Sequence, residues 1–234
     1  MRSLIWKEWR EQSWKIGFSC VVLGAFALVG LRSRVTADET LVMWVCFIGV
    51  TMLPVLASSG LVPAERSEHS FESLLALPIS ARKILLAKVL MGVVLCIVPL
   101  VVAGGISMAM AAGREMEGAA IASLYARSIL AAILLLTWMM ALTIQLPNET
   151  RAGLIAVGIF IFWMLATMGL VFTESDYWFA LSPFCFIYQR KSYYMGWHTA
   201  PIPWIQGLIF QGLICVMLWW WAASRLAGET EEQP

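Results

Sequence analysis

Apolar residues run along this chain in long blocks, separated by short polar interruptions, and the blocks are too long for the strands or buried helices of a soluble domain. Stretches free of Asp, Glu, Lys and Arg extend from Ile16 to Leu31, Thr40 to Ala64, Val89 to Gly113, Ser128 to Asn148, Ala152 to Thr173 and Ser192 to Ser224. About 20 residues of helix cross a hydrocarbon core of about 30 Å, so five of the six are long enough unaided. The first is short, but Lys15, Arg32 and Arg34 at its flanks have stems that reach the two interfaces. The pattern therefore predicts an all-α polytopic membrane protein, a single transmembrane domain over residues 1–234. Its six spans fall at about 16–34, 40–62, 86–112, 126–146, 152–172 and 203–223.

Ahead of the first span, Leu4, Ile5, Trp6, Trp9 and Ile16 alternate with Lys7, Arg10, Glu11 and Lys15 at helical spacing. This is the pattern of an interfacial helix before the chain turns into the membrane. A cleaved signal peptide fits less well. The small-residue site Ala25-Phe26-Ala27 lies inside the apolar run, and the preceding segment carries Glu8 and Glu11.

Composition agrees with lipid as the solvent, since 60% of the 234 residues are hydrophobic and only 13% charged, against about 25% charged in ordinary globular proteins. The formal net charge of +1, without a long run of one sign, gives no footprint for a nucleic acid. An N-terminus in the cytoplasm places ten basic residues inside (Arg2, Lys7, Arg10, Lys15, Arg66, Arg82, Lys83, Lys88, Arg151, Arg225) and six outside. The asymmetry predicts both termini inside, with Trp219 to Trp221 anchoring the last span, and suits a bacterial inner (plasma) membrane.

Candidate chemistry is sparse. With Arg127 at the edge of the fourth span and His198 in the loop ahead of the last, no Asp, Glu, Lys, Arg or His is expected at mid-membrane, which disfavours a proton-coupled or ion-coupled carrier. His69 and His198 fall in loops, away from Ser107, so no nucleophile and base come together and no catalytic or metal-binding set is expected. Five scattered cysteines suggest no disulfide framework. No G-x-x-x-x-G-K-[ST] run is present, so the chain has no P-loop of its own. Gly105, Ala109 and Gly113, at steps of four, are expected to form a close helix contact, and Pro54 and Pro99 to kink their helices.

The informative polar stretch lies between spans two and three, from Glu65 to Lys88. Ser70 is a good N-cap, Glu72 suits the first turn of a helix, and Pro78 stops it after about two turns. Phe71, Leu74 and Leu75 share one face of that helix, which is too small to form a core and is left either for the lipid interface or for a groove in a soluble partner. Ser80 can cap the next helix, which leads through Arg82 and Lys88 into span three.

Glu65, Glu72, Leu74, Leu75, Pro78, Ile79, Ser80, Arg82 and Lys88 resemble, in order, the signature of membrane subunits of the ABC type-2 exporter family. Leu4 to Arg10 resembles that family's interfacial elbow helix, and Leu181-Ser182-Pro183-Phe184 its motif before the last span. His69 and Ser70 depart from the Gly-Thr that is usual there. The resemblance implies an ABC-transporter permease that is not itself an enzyme. Such a subunit works with a second permease, as homodimer or heterodimer, and with a separate ATPase that binds ATP and magnesium; this chain holds no cofactor. It also implies that Glu65, Phe71, Glu72, Leu74, Leu75, Leu77, Pro78, Ser80, Arg82 and Lys88 form a cytoplasmic coupling helix and its flanks. The substrate and its binding residues are not legible. The aromatic outer segment, 173–204, reads as an interfacial belt or, by the resemblance, as an outer gate. A non-transporting membrane anchor that recruits a cytoplasmic partner is the alternative from another class.

Overall fold

The structure is a computed structural model that describes residues 2–33, 38–67, 81–112, 118–144, 146, 148–171, 182–186 and 204–231. The described residues form seven α-helices and one 3-10 turn, without strands. They are α1 (Arg2–Ser33), α2 (Asp38–Leu61), α3 (Pro63–Ser67), α4 (Ala81–Ala111), α5 (Gly118–Thr143), α6 (Glu149–Val171) and α7 (Trp204–Glu231), with the 3-10 turn at Pro183–Phe186. All but α3 are long and apolar enough to cross a membrane, so the protein is an integral multi-pass membrane protein.

Helix α1 differs from expectation. In place of an interfacial elbow followed by a bend, one unbroken helix of 32 residues runs from Arg2 to Ser33. No proline interrupts it. Its buried stripe is Leu4, Glu8, Gln12, Ile16, Ser19, Leu23, Ala27 and Leu31, which continues past the elbow region at the same helical spacing, while Trp6, Trp9 and Trp14 stay exposed. The first turns are thus held against the bundle by the same face that packs farther along.

The core lies among α1, α2, α4 and α5, where Leu23, Val45, Val50, Leu53, Leu95, Leu100 and Leu135 are buried. Helices α1 and α4 pack along much of their length, as do α2 and α5. Helices α6 and α7 are peripheral and expose Leu154, Phe162, Leu165, Leu213, Val216 and Met217, an apolar surface suited to lipid contact. Pro54 and Pro99 lie inside unbroken helices. Asn148 caps α6, its side-chain oxygen accepting a 2.8 Å hydrogen bond from Thr150 N–H.

The expected contact at Gly105 is corrected. Gly105 and Ala109 face outward, and a Cβ on Gly105 would meet nothing within 4 Å. The close approach is made one residue earlier, where a Cβ on Gly104 would stand 3.1 to 3.3 Å from the Tyr125 ring. Beside it, Ser107 shares a 2.9 Å buried hydrogen bond with the Tyr125 hydroxyl, which makes Ser107 part of the packing between α4 and α5.

Of the aromatic segment 173–204, residues 182–186 and Trp204 are described. Ser182, Pro183 and Phe184 are buried rather than interfacial. The Phe184 ring lies 6.1 Å from both Phe47 and Phe160, and Ser182 shares a hydrogen bond with Thr167. The motif therefore plugs the bundle between α2 and α6.

Candidate coupling site

The polar site of the bundle lies where α2 ends and α4 begins. Helix α2 stops at Leu61, Val62 forms a turn, and Pro63 opens α3 in the position where its missing N–H costs nothing. This short helix sets Glu65 in its first turn, facing inward. Helix α4 starts at Ala81, immediately after the candidate cap Ser80, and buries Ile84, Ala87, Lys88 and Met91 on one face. Lys88 is consequently carried into the bundle by an apolar stripe.

There it meets two acids. Lys88 Nζ donates to Glu8 Oε1 at 2.8 Å and to the Leu61 carbonyl at 2.8 Å, and pairs with Glu65 Oε2 at 2.7 Å. The side chains of Lys88 and Glu8 are 0% exposed and that of Glu65 8%. Lys7 closes the network from the rim, donating to Glu65 Oε1 at 2.9 Å and lying 3.6 Å from Glu11. Burial penalises each charge, and the opposite charges at hydrogen-bond distance offset that penalty. The Leu61 carbonyl stands at the negative end of α2, so the ammonium both satisfies it and suits the helix dipole.

One turn farther along α1, Gln12 donates to the Gly60 carbonyl at 3.4 Å, and the Lys15 ammonium fills the space that a side chain at Gly60 would need. An apolar layer at the same end of the bundle joins Leu4, Val62, Ile84, Ala87, Ala141, Ile144 and Ala222, which bring in α5 and α7. The first turns of α1 are thereby tied to both ends of the 65–88 segment.

Carboxylate oxygens of Glu8, Glu11 and Glu65 lie within 4.8 Å of one another, a spacing open to a metal ion. Two ammonium groups already face these oxygens, so the positive charge a metal would bring is supplied by the chain.

Of the residues singled out by sequence, Glu65 and Lys88 are brought into direct contact. Arg82 lies in the first turn of α4. Phe71, Glu72, Leu74, Leu75, Leu77, Pro78 and Ser80, and the short helix drawn through them, lie outside the described residues. Glu8 and Lys7 are the members that sequence reasoning missed. The signal for Glu8 was its place in the Leu4, Glu8, Gln12, Ile16 stripe, where acid and amide stand at apolar spacing.

Among the described residues, six helices long and apolar enough to cross a membrane surround a hydrophobic core free of Asp, Glu, Lys, Arg and His and are joined at one end by a charged tie, the plan of a polytopic membrane protein. Residues 17–177 match the model of the ABC-2 family transporter protein, and the chain belongs to that family, a membrane component of ABC transporters. No curated protein and no solved structure matches the chain significantly. The matched region takes in α2 to α6 with Glu65 and Lys88, and begins after Glu8.

Proposed function

We propose that this permease couples ATP hydrolysis by a separate ATPase subunit to export of a substrate. The residues from Glu65 to Lys88 face the cytoplasm together with both termini, and the ATPase docks on the apolar face of Phe71, Leu74 and Leu75. The chain works beside a second permease, with the pathway between the two, because the core of one copy is, among the described residues, packed with apolar side chains. ATP and magnesium belong to the partner, and ATP drives the cycle by favouring one conformation of the ATPase pair over the other.

The observation that carries this reading is the buried ion pair between Glu65 and Lys88. It clamps together the two ends of the 65–88 segment, so a force on that segment is delivered to α2 and α4 rather than lost in a slack loop. The test is affinity purification of the full-length chain from membranes, followed by ATP turnover of whatever ATPase is retained. Turnover that depends on the permease supports coupling. Stable binding without any effect on turnover overturns it in favour of an anchoring subunit.

A further inference from the structure

Lys88 has a third partner that the clamp between Glu65 and Lys88 does not require. Glu8, on α1, meets the same ammonium at 2.8 Å with no solvent exposure on either side chain. A solvated surface pair constrains little, because water competes for both partners. A pair with no water at hand can separate only by leaving both charges buried and uncompensated, so it holds its two helices in register. Glu8 Oε1 spends its bond on Lys88, while its Oε2 is buried with no hydrogen-bond partner, so Lys88 is what stabilises this carboxylate. The Gln12 side chain, one turn on, reaches the Gly60 carbonyl and ties the same face of α1 to the end of α2.

From this geometry we infer that Glu8 is a positioning residue for coupling: through Lys88 it makes the N-terminal end of α1 move together with the 65–88 segment when the ATPase acts on it. The inference rests on the coupling reading and adds to it the receiving element, α1, and the side chain that receives. Without Glu8, Lys88 keeps Glu65 and the Leu61 carbonyl, so the segment stays clamped and the ATPase still has its docking site. What is lost is the buried ionic link from Lys88 to α1; the half-exposed Lys7–Glu65 pair, the Gln12 bond and the apolar contacts of Leu4 remain, so transfer to α1 is weakened rather than abolished.

The experiment uses the complete complex of the full-length chain with its ATPase in lipid nanodiscs, probed by amide hydrogen exchange with and without a non-hydrolysable ATP analogue. In the wild type, the nucleotide changes exchange in peptides covering residues 2–12 and in peptides covering 83–95. In Glu8→Gln, the response at 83–95 persists, the response at 2–12 is reduced, and permease-stimulated turnover falls by about fivefold or more, in the usual range of a coupling between sites. The amount of ATPase retained is unchanged. Glu8→Asp keeps the charge and restores part of the response at 2–12, which a purely steric role does not predict. An undiminished response at 2–12 in Glu8→Gln overturns the inference. If Glu8→Gln fails to assemble, Glu8→Asp decides alone: a reduced response at 2–12 supports the inference and a wild-type response overturns it. Failure of the coupling reading itself shows differently, as a wild-type complex in which nucleotide leaves 83–95 unchanged, and the inference falls with it.

Discussion

Glu8 and Lys88 stand 80 positions apart in sequence and 2.8 Å apart in space, joined where neither side chain reaches solvent. Burial penalises both charges; Lys88 offsets that penalty for Glu8, while Glu8 and Glu65 together offset it for Lys88. Neutral replacement of Lys88 removes the common partner of two buried acids and is the more damaging change. Lys88→Met is expected to destabilise the fold by about 3 to 5 kcal/mol, the usual cost of breaking a buried pair from one side. Glu65→Gln, which leaves Lys88 with Glu8 and Leu61, costs less. Thermal unfolding of the purified chain in detergent ranks the two, and equal midpoints would remove Lys88 from the centre of the network.

Adjacent glycines in α4 give a contrast that isolates packing from helix propensity. Gly104→Ala drives a methyl group against the Tyr125 ring and is expected to cost about 1 to 3 kcal/mol. Gly105→Ala places the same methyl in open space and is expected to be neutral or to stabilise by up to about 1 kcal/mol. Unfolding midpoints of the two single variants in the same detergent check this; a loss at Gly105 as large as that at Gly104 contradicts the packing described here.

If the proposed ATPase docks on the 65–88 segment, its binding is expected to depend on the apolar residues after Ser70. Phe71→Ala with Leu75→Ala removes two apolar anchors and is expected to weaken binding by about 2 to 4 kcal/mol while the spans still insert. Pull-down of the ATPase at matched membrane expression is the measurement. Unchanged retention and unchanged turnover in the double variant would mean that the ATPase docks elsewhere.

Orientation is open to a direct test. With both termini in the cytoplasm, Asp38→Cys is expected to react with an impermeant maleimide added to intact cells, and Glu232→Cys only after the membrane is opened. The opposite labelling would invert the topology and place Glu65 on the wrong face for an ATPase.

The six helices were legible because a charge is so costly in hydrocarbon that its absence over about 20 residues is a direct mark of a span. Glu65 and Lys88 were also legible, as members of an ordered polar stretch. Glu8 was not: read locally, an acid among Lys7, Arg10 and Glu11 belongs to their solvated face, and its place in the Leu4, Gln12 and Ile16 stripe tells only once packing buries that stripe while Arg10 and Glu11 stay exposed. The continuous course of α1 was not legible either, since periodicity over Leu4 to Ile16 reports an amphipathic helix without saying whether bilayer or protein covers it. The four-residue spacing of Gly105 likewise gave no hint that Gly104 faces Tyr125.

The unbroken course of α1 has a mechanical consequence. A helix of 32 residues is about 48 Å long, well beyond the hydrocarbon thickness, and without a hinge it behaves as a rod. If the rod pivots where Leu23 is wedged into the core, the arm from Leu23 back to Glu8 is about 22 Å and the arm forward to Leu31 about 12 Å. A push at Glu8 would then reappear at Leu31, near the other end of the helix, at about half its size and in the opposite direction.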